Sequence, residues 1–236
     1  MRFKYWIMLI MVCIGLFSFY TLSQAKEDGV SWDELSKKNP LKQEKIFTNH
    51  QNLQQLFLFP EGSFDTGEAL SIVKSIYSLP SSMLDKLVDK EVKVKLFNGR
   101  LTENPSAAYL KGVQPRGYKN AETTWDDVPG MGGSHTVFVK IGASDQGNGH
   151  GSVNLELHEL AHSIDKIVYN GIRDDIEFLG IWKKEVGTLF PNQTYFNDYP
   201  EEYFAEAFAM YYVNSEQRHR LEGLAPQTYM YIKQLD

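Results

Sequence analysis

Residues His158-Glu159-Leu160-Ala161-His162 spell H-E-x-x-H inside an apolar stretch, a pattern with a definite three-dimensional demand. On a helix, positions i and i+4 share a face, so both imidazoles aim at one point and can hold a zinc ion there. Glu159, one residue on from His158, can reach a water beside that metal as general base. Val153, Leu155, Leu157, Leu160, Ala161 and Ile164 surround the motif and predict a buried helix over about 153–169. The competing reading, a surface helix with two solvated histidines, fits those apolar flanks poorly. A catalytic zinc takes three protein ligands and keeps an open corner for water, so a third ligand must come from elsewhere in the chain.

A second helix, over about 200–213 with Pro200 at its start, offers two candidates. Glu202 and Glu206 lie at i and i+4 on one stripe, beside the apolar Phe204, Ala207, Phe208 and Tyr211. Burying carboxylates is costly unless they are paired or bound to metal. One zinc ligand plus one partner that orients a ligand would account for both. Spacing alone leaves open which is which, and leaves open a plain solvated face. Glu201 falls on a different face and reads as exposed.

The rest of the chain sets the frame for these helices. Residues 1–25 read as a signal peptide: Arg2 and Lys4, an uncharged and mostly apolar run, then Ser23-Gln24-Ala25 with small residues at the cleavage positions. The run is short for a bilayer span of about 20 residues, so a leader fits better than an uncleaved anchor. The expectation is a secreted protein with no stable membrane insertion once the leader is gone. Cys13, the single cysteine, lies in that leader, which excludes disulfides and thiolate chemistry from the remainder. A net charge of −6, with no basic stripe, argues against a nucleic-acid partner. Residues 26–43 read as a polar, mobile lead-in, and 44–236 as a single domain.

Within that domain, 65–77 has helical spacing at Ala69, Ile72, Val73 and Ile76, with Asp65 or Thr66 as cap. Pro80 ends it and a second short helix covers 81–88. Residues 92–97 and 136–141 alternate as strands with a core face and a wet face. Loops dominate 98–133 and 142–151, and a last helix spans about 225–234. The class is α+β: a small mixed sheet, a helix carrying the H-E-x-x-H motif, and a mostly helical C-terminal half. Gly132-Gly133-Ser134-His135 reads as a flexible lip that grips an extended peptide against strand 136–141, taken as the sheet edge. His135 and His150 read as loop residues, and His50 and His219 as solvated.

The run 149–162, then Tyr195, then Glu202-Tyr203-Phe204-Ala205-Glu206-Ala207-Phe208, then Ala225-Pro226-Gln227-Thr228-Tyr229, resembles the catalytic domain of anthrax toxin lethal factor. It is closer still to the secreted Pro-Pro endopeptidases of Gram-positive bacteria, over roughly 125–232. The resemblance implies a zincin-like metallopeptidase with one zinc ion per chain. It implies His158, His162 and Glu202 as metal ligands, Glu159 as general base, and Tyr195 as a phenol that stabilises the oxyanion. Glu206 becomes the neighbour that orients a histidine, and the replacement ligand should Glu202 not serve. Trp125 resembles a tryptophan that packs on substrate prolines, although a core anchor is its other reading. Gly133 and Ser134 join it as substrate-binding residues. The expected partner is a protein or peptide substrate, proline-rich, in a bacterial surface protein, cut by a monomer. A toxin peptidase acting on host proteins, and a non-catalytic surface-binding module that keeps the fold, are the alternatives.

Overall fold

A computed structural model describes residues 29–117, 120 and 122–235. The leader, 1–25, lies outside the described residues, as does Cys13. Five strands form one mixed sheet in the order β1-β2-β3-β5-β4: β1 (Val30–Ser31), β2 (Phe57–Phe59), β3 (Lys93–Phe97), β4 (Gly130–Met131) and β5 (Thr136–Lys140). The inner strands β2, β3 and β5 run parallel, with Val94 beside Val137 and Leu96 beside Val139. The outer strands are antiparallel. This α+β arrangement, with a small mixed sheet and a mostly helical second half, is the expected class.

Two short helices, α1 (Lys45–Asn49) and α2 (Gln51–Leu56), lead into β2. The crossover from β2 to β3 is made by α3 (Thr66–Tyr77) and α4 (Ser81–Asp89). The Asp65 carboxylate accepts the free N–H groups of Gly67 and Glu68 and so starts α3. Ala69, Ile72, Val73 and Ile76 form its fully buried stripe, as their spacing predicts. The second half contributes α5 (Leu155–Ser163), α6 (Ile176–Leu189), α7 (Thr194–Asp198), α8 (Pro200–Val213), α9 (Ser215–Leu224) and α10 (Pro226–Lys233). Helix α5 runs on through a wider π turn at Ile164–Val168. Among the described elements, helices α5 and α8 share the most extensive contact. Among the described residues no helix is long and apolar enough to cross a membrane.

Four expectations are revised. The lead-in is part of the fold from Val30 onward. β1 pairs with β2, Trp32 stacks on Phe47 at 4.0 Å, and Leu35 and Leu41 are buried. The wet faces assigned to the two predicted strands are covered in their middle, at Lys95, Phe97 and Phe138. A parallel inner strand has protein on both sides, and here Phe97 and Phe138 pack with Leu101 and Ala107 on the face away from the helices. Strand β5 is not the edge, because β4 pairs along it through Gly130 and Met131. The supposed loop 98–133 contains that strand and two 3-10 turns, Leu101–Glu103 and Pro105–Leu110.

Candidate active site

Helix α5 is built to present its histidines. Asn154 caps it by accepting the N–H of Leu157 at 2.9 Å, and Leu157, Leu160, Ala161 and Ile164 are fully buried. That leaves His158 and His162 on the remaining face, rings 4.9 Å apart and nearly perpendicular. Helix α8 crosses α5 with almost every side chain from Tyr203 to Tyr212 buried, and it brings Glu202 opposite both rings. The three ligand atoms form a tight triangle. His158 Nε2 and His162 Nε2 are 3.3 Å apart, and Glu202 Oε2 is 3.4 Å from the first and 3.5 Å from the second. With metal–ligand distances of roughly 2.0–2.1 Å, the edge of a zinc tetrahedron is about 3.3–3.4 Å. Among the described residues this is the only His/Glu/Asp/Cys group with that convergence.

The partner glutamate is also in place. Glu206 Oε2 accepts the Nδ1–H of His158 at 3.0 Å, which fixes the tautomer and turns the Nε2 lone pair toward the triangle. Glu206 Oε1 accepts the N–H of Val153 at 2.9 Å, so one carboxylate ties α8 to the segment just before α5. Glu202 is split the same way. Its Oε2 faces the histidines, while its Oε1 accepts from Arg116 Nη2 at 3.0 Å.

Arg116 was not singled out from sequence. The exposed reading of Glu201 is corrected: it is buried, 2.8 Å from Arg116 Nη2 and 3.9 Å from Arg173 Nη1. Arg173 in turn grips the buried Asp165 at 2.6 Å. The Arg116 guanidinium also stacks over the Tyr199 ring at 4.0 Å. A guanidinium in a loop leaves no periodic signature, so nothing near 116 announced it.

The two histidines, Glu202, Glu206, Arg116 and Glu201 sit in the wall of a cleft of about 910 Å³. Glu159 faces it from α5, and burial raises its pKa against the opposing pull of His158 and His162. Tyr195, on α7, lines it too; burial, then the Glu202 charge, pushes its phenol well up. Trp125 and Gly133 line the cleft as well. Trp125 does double duty, since its other side packs with Phe97, Leu101 and Phe138. Ser134 stands outside the cleft wall, its hydroxyl donating to the Thr136 carbonyl at 2.7 Å. His150 donates from Nε2 to the Ala143 carbonyl at 2.7 Å, and His135 is exposed, so neither joins the triangle.

The lip is anchored rather than flexible. The Gly133 N–H donates to Ser163 Oγ at 3.0 Å, Ser163 Oγ donates to the Ser134 carbonyl at 2.7 Å, and the Lys93 N–H donates to the His135 carbonyl at 2.7 Å. It also lies flat on α5. A Cβ added at Gly132 would stand 1.9 Å from the Glu159 carbonyl oxygen, so only glycine permits this approach.

Comparison with known proteins gives one consistent neighbourhood. The family described as anthrax toxin lethal factor, N- and C-terminal domain, matches residues 42–235. The chain is 44% identical over 190 residues to a Pro-Pro endopeptidase of Clostridioides difficile (strain 630), covering 80% of this chain and 86% of that one. It is 40% identical over 183 residues to a Pro-Pro endopeptidase of Paenibacillus alvei, covering 78% and 84%. The solved structure of the Paenibacillus alvei Pro-Pro endopeptidase superposes with a TM-score of 0.74 at 40% identity, covering 78% of this chain and all of that one.

Proposed function

The chain belongs to the anthrax toxin lethal factor family, and from that premise we propose that it is a zinc-dependent Pro-Pro endopeptidase exported by way of its leader. The peptidase function follows from relatives 40–44% identical over most of the chain. What supports the metal is the triangle of His158, His162 and Glu202, whose edges match a zinc tetrahedron. A zinc ion held there would polarise the scissile carbonyl and acidify a bound water. Glu159 would take the proton from that water and pass it to the leaving nitrogen. The Tyr195 phenol, kept protonated by its raised pKa, would donate to the developing oxyanion. Glu206 holds His158 in the tautomer that binding requires. Trp125 offers an indole face to substrate prolines, and a proline-rich segment of a bacterial surface protein is the substrate class proposed.

The direct test is elemental analysis together with cleavage of quenched peptides. Purified protein should carry about one zinc per chain, lose cleavage on chelation, and prefer a Pro-Pro bond over proline-free peptides. Substoichiometric metal in an active preparation would remove the reading.

Chelated protein carries a pH signature as well. Burial would lower the His158 pKa, but its bonds to Glu202 and Glu206 win and raise it from 6.5 to about 10. For Glu202, burial would raise the value, but the bonds from His158 and His162 hold it far below 4.5. The raised histidine contributes stability that is full below about pH 6.5 and is lost as pH climbs toward 10. The lowered carboxylate contributes stability present above about pH 4.5 and lost in acid. Thermal melts of chelated protein should therefore peak between those two values. The stabilisation by added zinc should instead widen from pH 6 to pH 8, because ligation displaces the His158 proton. A zinc increment that shrinks over this range would contradict the pairing.

A further inference from the structure

One hydroxyl of α5 has no part in metal or proton chemistry, yet it is fully buried and makes two bonds to the lip. Ser163 follows His162 directly. Its Oγ accepts the Gly133 N–H at 3.0 Å and donates to the Ser134 carbonyl at 2.7 Å. The two bonds use opposite capacities of one hydroxyl, so the segment can sit in one place only. Both of its partners are backbone groups, and they lie where β4 would otherwise continue along β5. The tie therefore holds the chain just past the last pair of β4, Met131 with Phe138. It also fixes the depth of this stretch above Glu159, on which Gly130 and Gly132 rest.

We propose that Ser163 is a positioning residue: it bolts the substrate-facing lip to the metal-bearing helix and so presets the edge along which an extended peptide lies. This rests on the peptidase reading for the identity of the ligand, and on geometry alone for the tie. In unbound protein, a lip without the tie would sample other positions, and each binding event would have to select the competent one. The effect should therefore fall on peptide binding rather than on the chemical step. Alanine at 163 removes the hydroxyl with little change in packing.

The experiment has two arms. In full-length protein, Ser163→Ala should speed hydrogen exchange in the peptide containing Gly133 and leave zinc content unchanged. In an active background it should raise KM for a quenched Pro-Pro peptide about five- to tenfold, with kcat within about twofold, the size expected for one or two hydrogen bonds. Faster exchange with KM unchanged would make the tie merely structural and overturn the proposal. Unchanged exchange would overturn it from the other side. If wild-type protein cleaves no Pro-Pro peptide, the functional reading falls. The tie is then still read by exchange, and by anisotropy of the same peptide, fluorescein-labelled, on Glu159→Gln with and without Ser163→Ala; equal Kd values would overturn it.

Discussion

Glu159→Gln should lower kcat by about 100- to 10,000-fold, the usual contribution of a positioned general base, while zinc content and melting temperature stay at wild-type values. The amide keeps the shape of the carboxylate but cannot accept a proton from water. The packing around Glu159 makes this a clean experiment. Its backbone and Cγ lie under Gly130 and Gly132, and a glutamine fills the same space. Wild-type activity should fall off in acid, when a protonated carboxyl can no longer take the proton from water. Steady-state kinetics with a quenched peptide, alongside metal analysis, decide the matter. A variant that turns over within a few fold of wild type would take the proton-transfer role away from Glu159.

The largest loss of stability is expected from Gly132→Ala. The added Cβ would meet the Glu159 carbonyl oxygen at 1.9 Å, its carbon at 2.8 Å and its Cα at 3.1 Å. All three are backbone, so no rotamer relieves the clash. Overpacking costs typically about 1–3 kcal/mol, and a backbone collision belongs at or above the top of that range. At roughly 2–4 °C per kcal/mol for a domain of this size, the melting temperature should drop by about 6–12 °C or more. Gly180→Ala supplies the contrast. That glycine is inside α6 with nothing within 4 Å of the new Cβ, so alanine there should be neutral or slightly stabilising. Equal melting temperatures for the two variants would mean that the lip does not lie against α5.

The chemistry was far more legible than the sheet. His158, Glu159 and His162 declare themselves because the helical period forces a shared face, and Glu202 and Glu206 because charge on an apolar helix needs a partner. The division of labour between the two glutamates was not in the spacing. It depends on the angle at which α8 crosses α5, and it came from family resemblance. The inner strands misled because alternation of Lys93, Lys95 and Phe97 with Val94 and Leu96 looks half-wet. Lys95 is in fact buried, its ammonium 5.9 Å from the centre of the Phe138 ring. β1 is two residues long, too short for any periodic signal. Helix α6 was readable and overlooked: Asp175 caps it, and Phe178, Ile181, Val186 and Leu189 recur at helical spacing. Helix α9 buries only Leu221, so its apolar stripe was never there to find. Arg116 and Ser163 act through long-range pairing from a loop and a helix end, which no local pattern encodes.

Among the described residues, the helix that brings Glu202 to the two histidines is buried along almost its whole length. From Tyr203 to Tyr212 helix α8 has no appreciable exposure, and at Tyr203 it is bonded to Thr228, which the buried Glu185 also holds. The backbone that carries Glu202 therefore cannot shift without disturbing the middle of the protein. The entropy of gathering three donor groups is spent once, when the chain folds, and not again each time an ion arrives. A cation entering from the cleft would find a socket already cut to size.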